Sequence, residues 1–96
     1  MYESIKEQIV DKYAPDKILL FGSRAKGAAA PASDIDLCVV VNTANKRRLI
    51  ADMYYAVESE MPIDILVYTP DEWEMCVNDT TSFAHKISRE GVALYG

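Results

Sequence analysis

Little in this sequence supports a disulfide-stapled, zinc-binding or membrane-spanning protein. There are only two cysteines, Cys38 and Cys76, and one histidine. No Cys-x-x-Cys or Cys/His spacing joins them, which leaves no basis for a disulfide framework or a zinc site. Each cysteine reads instead as a small, buried or half-buried apolar residue. No apolar run approaches the ~18 residues that span a bilayer. Met1 to Val10 carries charges where a signal peptide would carry its apolar stretch. The expected location is therefore cytoplasmic, with no membrane partner. Basic excess is missing as well: 10 Lys and Arg face 15 Asp and Glu, a net charge of -5. That balance disfavours a broad electrostatic grip on nucleic acid or anionic lipid, and DNA is not an expected partner.

What is present suits one compact domain over residues 1–96, half hydrophobic and about a quarter charged. A chain this short has little core to spare for a separate substrate module, so its acceptor should bring its own shape. Ile5, Ile9, Val10 and Tyr13 fall on one side of a 3.6-residue period, predicting an amphipathic helix that ends near Pro15. Residues 17–21 and 35–41 read as buried strands, and 63–68 as a third. Between the first two, residues 23–30 are alanine-rich and predict a short helix with Ser23 as its cap. Residues 45–60 predict a longer helix capped by Asn45 and stopped before Pro62. Thr69-Pro70-Asp71-Glu72 marks another helix start. Ser82 to Glu90 reads as a last helix with Gly91 as its stop, and residues 92–96 as a tail. The predicted fold class is α/β, a small mixed sheet of three or more strands backed by helices, with the site at the Gly22 and Asp34 end.

Chemistry concentrates in three places. Gly22-Ser23-Arg24-Ala25-Lys26-Gly27 sits where a strand gives way to the predicted helix, a junction that turns backbone N–H groups and a positive helix end toward an anion. Gly22 permits close backbone approach, and the Ser23 hydroxyl can donate to a phosphate oxygen. Arg24 and Lys26 can neutralise phosphate charge. A P-loop is excluded, because Gly27 is followed by Ala28 and Ala29 rather than Lys and Ser or Thr.

Ser33-Asp34-Ile35-Asp36-Leu37 opens the second strand, and two-residue alternation puts Asp34 and Asp36 on one face. Neighbouring carboxylates in a partly apolar setting call for a proton or a cation, and a hard divalent ion with oxygen ligands is the natural partner. Asp64, flanked by Ile63 and Ile65, is a lone acid in the third strand, costly unless paired or metal-bound. If the second and third strands are neighbours, it reaches the face bearing Asp34 and Asp36, giving three carboxylates around a polyphosphate.

Taken together, Gly22-Ser23, then Ser33-Asp34-Ile35-Asp36-Leu37 ten residues on, then a lone strand Asp64, resemble the motif set of the DNA polymerase beta nucleotidyltransferase superfamily. The likeness is greatest to the minimal nucleotidyltransferases, whose Gly-Ser-Arg-Ala-Arg/Lys-Gly run is met by Gly22 to Gly27. It extends to Ile87-Ser88-Arg89-Glu90-Gly91 and Leu94-Tyr95. The resemblance implies that Asp34 and Asp36 bind Mg²⁺, two ions in all, and that Asp64 completes the site and helps activate an acceptor hydroxyl. It also implies that Gly22 and Ser23 hold the β and γ phosphates, with ATP as the substrate. Members of that family are often paired with a HEPN-type toxin as its antitoxin, and such antitoxins can transfer AMP to a tyrosine of the toxin. A HEPN-type partner protein, and an assembly with it, is thus an expectation from the likeness. The rivals are an antitoxin that works by binding and occluding its partner, and transfer to a small molecule or an RNA end.

The remaining signals are weaker. Lys46-Arg47-Arg48 reads as a solvated face, His85 as structural, and Trp73 and Met75 as core or interface. Tyr54 aligns with the core better than Tyr55 does. The sequence marks no base pocket.

Overall fold

The computed structural model describes residues 2–27 and 34–96. The chain runs α1 (Glu3–Tyr13), β1 (Lys17–Phe21), a single 3₁₀ turn (Gly22–Arg24), β2 (Ile35–Val40), α2 (Lys46–Ala56), β3 (Ile63–Tyr68), α3 (Pro70–Val77), α4 (Phe83–Glu90) and β4 (Val92–Tyr95). One mixed sheet has the order β3-β2-β1-β4. Strand β1 is antiparallel to β2 and to β4, while β2 and β3 are parallel. The parallel step needs a crossover, and α2 supplies it. The expected α/β class and the three strands read from apolar runs are all present.

Helices cover both faces of the sheet, which is why β2 is buried along nearly its whole length. On one face Ile5 and Ile9 of α1 and Met53 of α2 pack with Ile18, Leu20, Ile35, Leu37 and Val39. On the other, Trp73 of α3 and Ala84 and Ile87 of α4 pack with Leu19, Cys38 and Val40. Alternation along each strand sends odd and even residues to these two cores. Trp73 is thus a core residue, whereas Met75 stays 77% exposed.

The helix signals operate as read. Asn45 accepts from the Arg48 N–H at 3.1 Å, and Thr69 forms a reciprocal capping box with Glu72, with Pro70 in the first turn. Ser82 caps α4 by accepting from the His85 N–H at 3.1 Å. The His85 ring Nδ1 lies 2.9 Å from the Val77 carbonyl, a structural contact between α3 and α4. Lys46 meets both carboxylate oxygens of Glu72 at 3.0 Å, tying α2 to α3. Both thiols are free, and burial pushes that of Cys38 up to about 12.

Two expectations are corrected. The alanine-rich segment does not start an α-helix at Ser23: the chain makes only the 3₁₀ turn over Gly22–Arg24 and a further turn to Gly27. Ser23 lies inside that turn, and the position before it, Phe21, makes no side-chain cap. Gly22, the residue before the expected cap, has φ +74°, a left-handed backbone that glycine adopts without strain. Residues 28–30 of the segment, and Ser33, lie outside the described residues. The C-terminal stretch, read as a tail, is β4 paired on β1. It is reached by a close turn at Gly91, where an added Cβ would lie 2.6 Å from the Ile87 carbonyl oxygen and 2.9 Å from that of Leu20.

Candidate active site

Topology brings the separated motifs together. The antiparallel β1–β2 pairing sets the end of β1, and with it Gly22, beside the start of β2. The parallel β2–β3 pairing sets the start of β3 at the same edge. In register, Phe21 is opposite Asp36, and Asp36 is opposite Asp64. Register partners project from the same face, so the two acids stand side by side on the face that α3 and α4 cover further along. Asp34 lies just before β2 begins and is exposed.

The electrostatics follow from this crowding. The Asp36 carboxyl is raised above the ordinary carboxylate range, first by burial, then by the charges of Asp64 and Asp34, and finally by a side-chain hydrogen bond with Asp64. The Asp36 and Asp64 carboxyls are therefore within hydrogen-bond reach of each other, and Asp34 is close enough to act on Asp36. One reason offered for Asp64 changes: β3 is an edge strand and Asp64 is exposed, so its position costs little desolvation. Its significance comes from Asp36. Beside it, the Ile65 N–H donates to the Tyr54 hydroxyl at 2.7 Å, fixing the outer edge of β3 against α2.

Gly22 is bound to this acid pair by space as well as by sequence. A Cβ there would sit 2.3 Å from the Asp36 Oδ2. The turn and the acids are thus one site, in which the backbone of Gly22 lies against the Asp36 carboxylate. Ser23 is exposed beside it. Because the turn is three residues long, no α-helix dipole is available there, and the phosphate argument rests on the close backbone and the Ser23 hydroxyl.

Both cations of the turn have partners within the protein. Arg24 Nη1 reaches the Tyr2 hydroxyl at 3.5 Å, toward α1. Lys26 forms an ion pair with Glu90 of α4 at 3.0 Å. Sequence reasoning missed Glu90, Phe21 and Phe83 as neighbours of the turn: Phe21 and Phe83 meet edge to face, centroids 5.5 Å apart. No local signal announces contacts made across some sixty residues of chain.

Among the described residues no three His, Cys, Asp or Glu side chains are grouped as ligands for a metal ion. The contacting pair Asp36 and Asp64 nevertheless has the chemistry that suits a hard cation. Mg²⁺ is commonly held by one or two carboxylates together with substrate phosphates, and repulsion between the acids is what such a cation relieves. Larger surface depressions elsewhere, of about 610 and 640 Å³, contain none of Gly22, Ser23, Asp34, Asp36 or Asp64. Among the described residues no helix is long and apolar enough to cross a membrane.

No curated protein matches the chain significantly. The model of a protein family described as nucleotidyltransferase domain matches residues 2–90, a span that takes in the Gly22 turn and all three acids. An acid pair set against a glycine turn at one sheet edge, within that matched span, places the chain in the nucleotidyltransferase domain family.

Proposed function

We propose that this domain transfers AMP from ATP, with Mg²⁺, to a hydroxyl of a partner protein, and that the partner is a HEPN-type toxin which it restrains as an antitoxin. Nucleotidyl transfer is the family's activity; the nucleotide, metal and acceptor are the proposal. The observation that carries it is the contact of Asp36 with Asp64 directly against Gly22, which sets acids and phosphate turn within one ligand's reach.

In this reading Gly22 and Ser23 hold the β and γ phosphates, and Asp34 and Asp36 with Asp64 would hold two Mg²⁺ ions. The metal supplies charge neutralisation on the phosphates and lowers the cost of the developing negative charge. The acceptor oxygen bonds to the α-phosphorus as the bond from that phosphorus to the bridging β-oxygen breaks. Pyrophosphate leaves, and Asp64 takes the acceptor's proton. Most of the rate comes from alignment and electrostatic stabilisation. Support for a macromolecular acceptor comes from the surface: Tyr55 on α2 is 92% exposed and Met75 on α3 77%, anchors of the kind enriched at protein interfaces.

The test is the intact mass of the partner encoded beside this gene after incubation with the protein, MgCl₂ and ATP. The expected outcome is a gain of one or more AMP units with the wild type and none with the Asp34→Asn, Asp36→Asn double variant. A stable complex with no mass gain, still neutralised by the double variant, would make this a binding-only antitoxin. Efficient product on a small molecule or RNA end without any partner would move the acceptor away from protein.

A further inference from the structure

The row of register partners at the site edge does not stop at the acids. Asp64, Asp36 and Phe21 follow one another across β3, β2 and β1, each about 4.8 Å from the next. Beyond Phe21 the row opens into a cleft of about 140 Å³ between β1 and α4. Phe21 and Gly22 line one side, Phe83 and Ile87 the other, and Lys26, Lys86 and Glu90 complete it. Two features of this cleft remain accessible to a ligand. Phe83 is 50% exposed, although its ring meets that of Phe21 edge to face at 87°. The Lys26–Glu90 pair is more than two-fifths exposed on both sides, so solvent screens it and its groups exchange partners readily.

We propose that this cleft receives the nucleobase of the triphosphate, stacked on Phe83, with the sugar leading to an α-phosphate at Asp36 and Asp64 and the β and γ phosphates turning back onto Gly22 and Ser23. The proposal rests on the nucleotidyl-transfer reading above and adds where the base goes and how it is read. An aromatic wall takes any base by its π-face. The rim supplies discrimination: the Glu90 carboxylate accepts from an exocyclic amino group and the Lys26 ammonium donates to a ring nitrogen. Adenine, cytosine and the N2/N3 edge of guanine offer that pattern, and a purine's two rings cover more of Phe83. Uracil offers no exocyclic amino group to Glu90. Position agrees with composition, since Gly22 lines both the cleft and the acid site.

Calorimetric titration of ATP and of inorganic tripolyphosphate, each with MgCl₂, tests this. Phe83→Ala should weaken ATP binding by ~5–100-fold, the range for loss of one base–aromatic stack, and leave tripolyphosphate binding within about twofold. Phe83→Leu, which keeps apolar bulk, should fall between, and equal melting temperatures guard against a folding defect. Glu90→Gln should narrow the preference for ATP over UTP. Unchanged ATP affinity in Phe83→Ala, with tripolyphosphate still bound, would overturn the cleft while leaving the phosphate site standing. Equal losses for both ligands would also overturn it. If wild-type protein binds neither ligand, the nucleotide reading itself fails and the cleft falls with it.

Discussion

Asp36→Asn should abolish nucleotidyl transfer and at the same time make the protein harder to melt. The two effects have one cause. Asp36 faces Asp64 in register and feels Asp34 as well, and its carboxyl is raised by burial and by those charges. A group whose folded value lies above its unfolded value destabilises the fold once it ionises. The cost is absent below the ordinary carboxylate value and grows as pH rises through the raised one. At neutral pH, then, the wild type carries a repulsion that a carboxamide removes, and the amide can also donate to Asp64. Because solvent reaches the pair, the gain is held to about 0.5–1 kcal/mol, or a melting temperature higher by ~2–6 °C in a domain of this size. Thermal melts without divalent ions should show that rise at pH 7. The gap should close on acidification, when wild-type Asp36 becomes neutral. Transfer should fall by at least ~10²–10³-fold, the loss typical of one group that stabilises developing charge. A lowered melting temperature at pH 7 would mean that the acids are not held against each other.

Gly22→Ala should damage activity out of proportion to stability. The residue has φ +74°, which costs an alanine ~1–2 kcal/mol. Its new Cβ would lie 2.3 Å from Asp36 Oδ2, 3.2 Å from Cγ and 3.5 Å from Cβ. The obstacle is the tip of a short side chain and not backbone, so the carboxylate swings away and the fold survives. A displacement near 1 Å in a site that aligns reacting atoms can cost ~10²-fold, and that is the expected loss of transfer. A double-mutant cycle with Asp36→Ala separates the terms. With the carboxylate gone, Gly22→Ala should cost only the backbone strain. Full additivity in melting temperature would mean that the methyl and the carboxylate never meet.

These two residues also show what the sequence made legible. Asp36 and Asp64 were visible because each is a charge inside an apolar, β-branched run, and their pairing followed once residues 35–41 and 63–68 were taken as neighbours. Gly22 was visible as a glycine ending a strand. Caps at Asn45 and Thr69 were equally plain, since a cap is a local hydrogen bond between residues three apart. Less legible was everything set by topology. Val92–Tyr95 is four residues long and mostly exposed, so its pattern carries no strand signal until β1 is there to pair with it. The helix expected to start at Ser23 rested on alanine content alone, and over the described residues to Gly27 the chain makes only turns. Asp64 was expected to be an acid in a core strand, but nothing local distinguishes a central strand from an edge. The Lys26–Glu90 pair and the Phe21–Phe83 contact join the turn to α4, and no spacing rule connects residues so far apart.

The central claim is that Asp36 and Asp64, set against Gly22, hold a divalent cation together with a nucleoside triphosphate. Its most direct test is the binding of Mn²⁺, as a spin-active substitute for Mg²⁺, followed by electron paramagnetic resonance with a non-hydrolysable ATP analogue present. Wild-type protein should take up Mn²⁺ far more tightly with the analogue than without it, and Asp36→Asn, Asp64→Asn should lose that analogue-dependent uptake while remaining folded. Undiminished uptake by the double variant would contradict the account and place the cation, and the chemistry, somewhere else on the molecule.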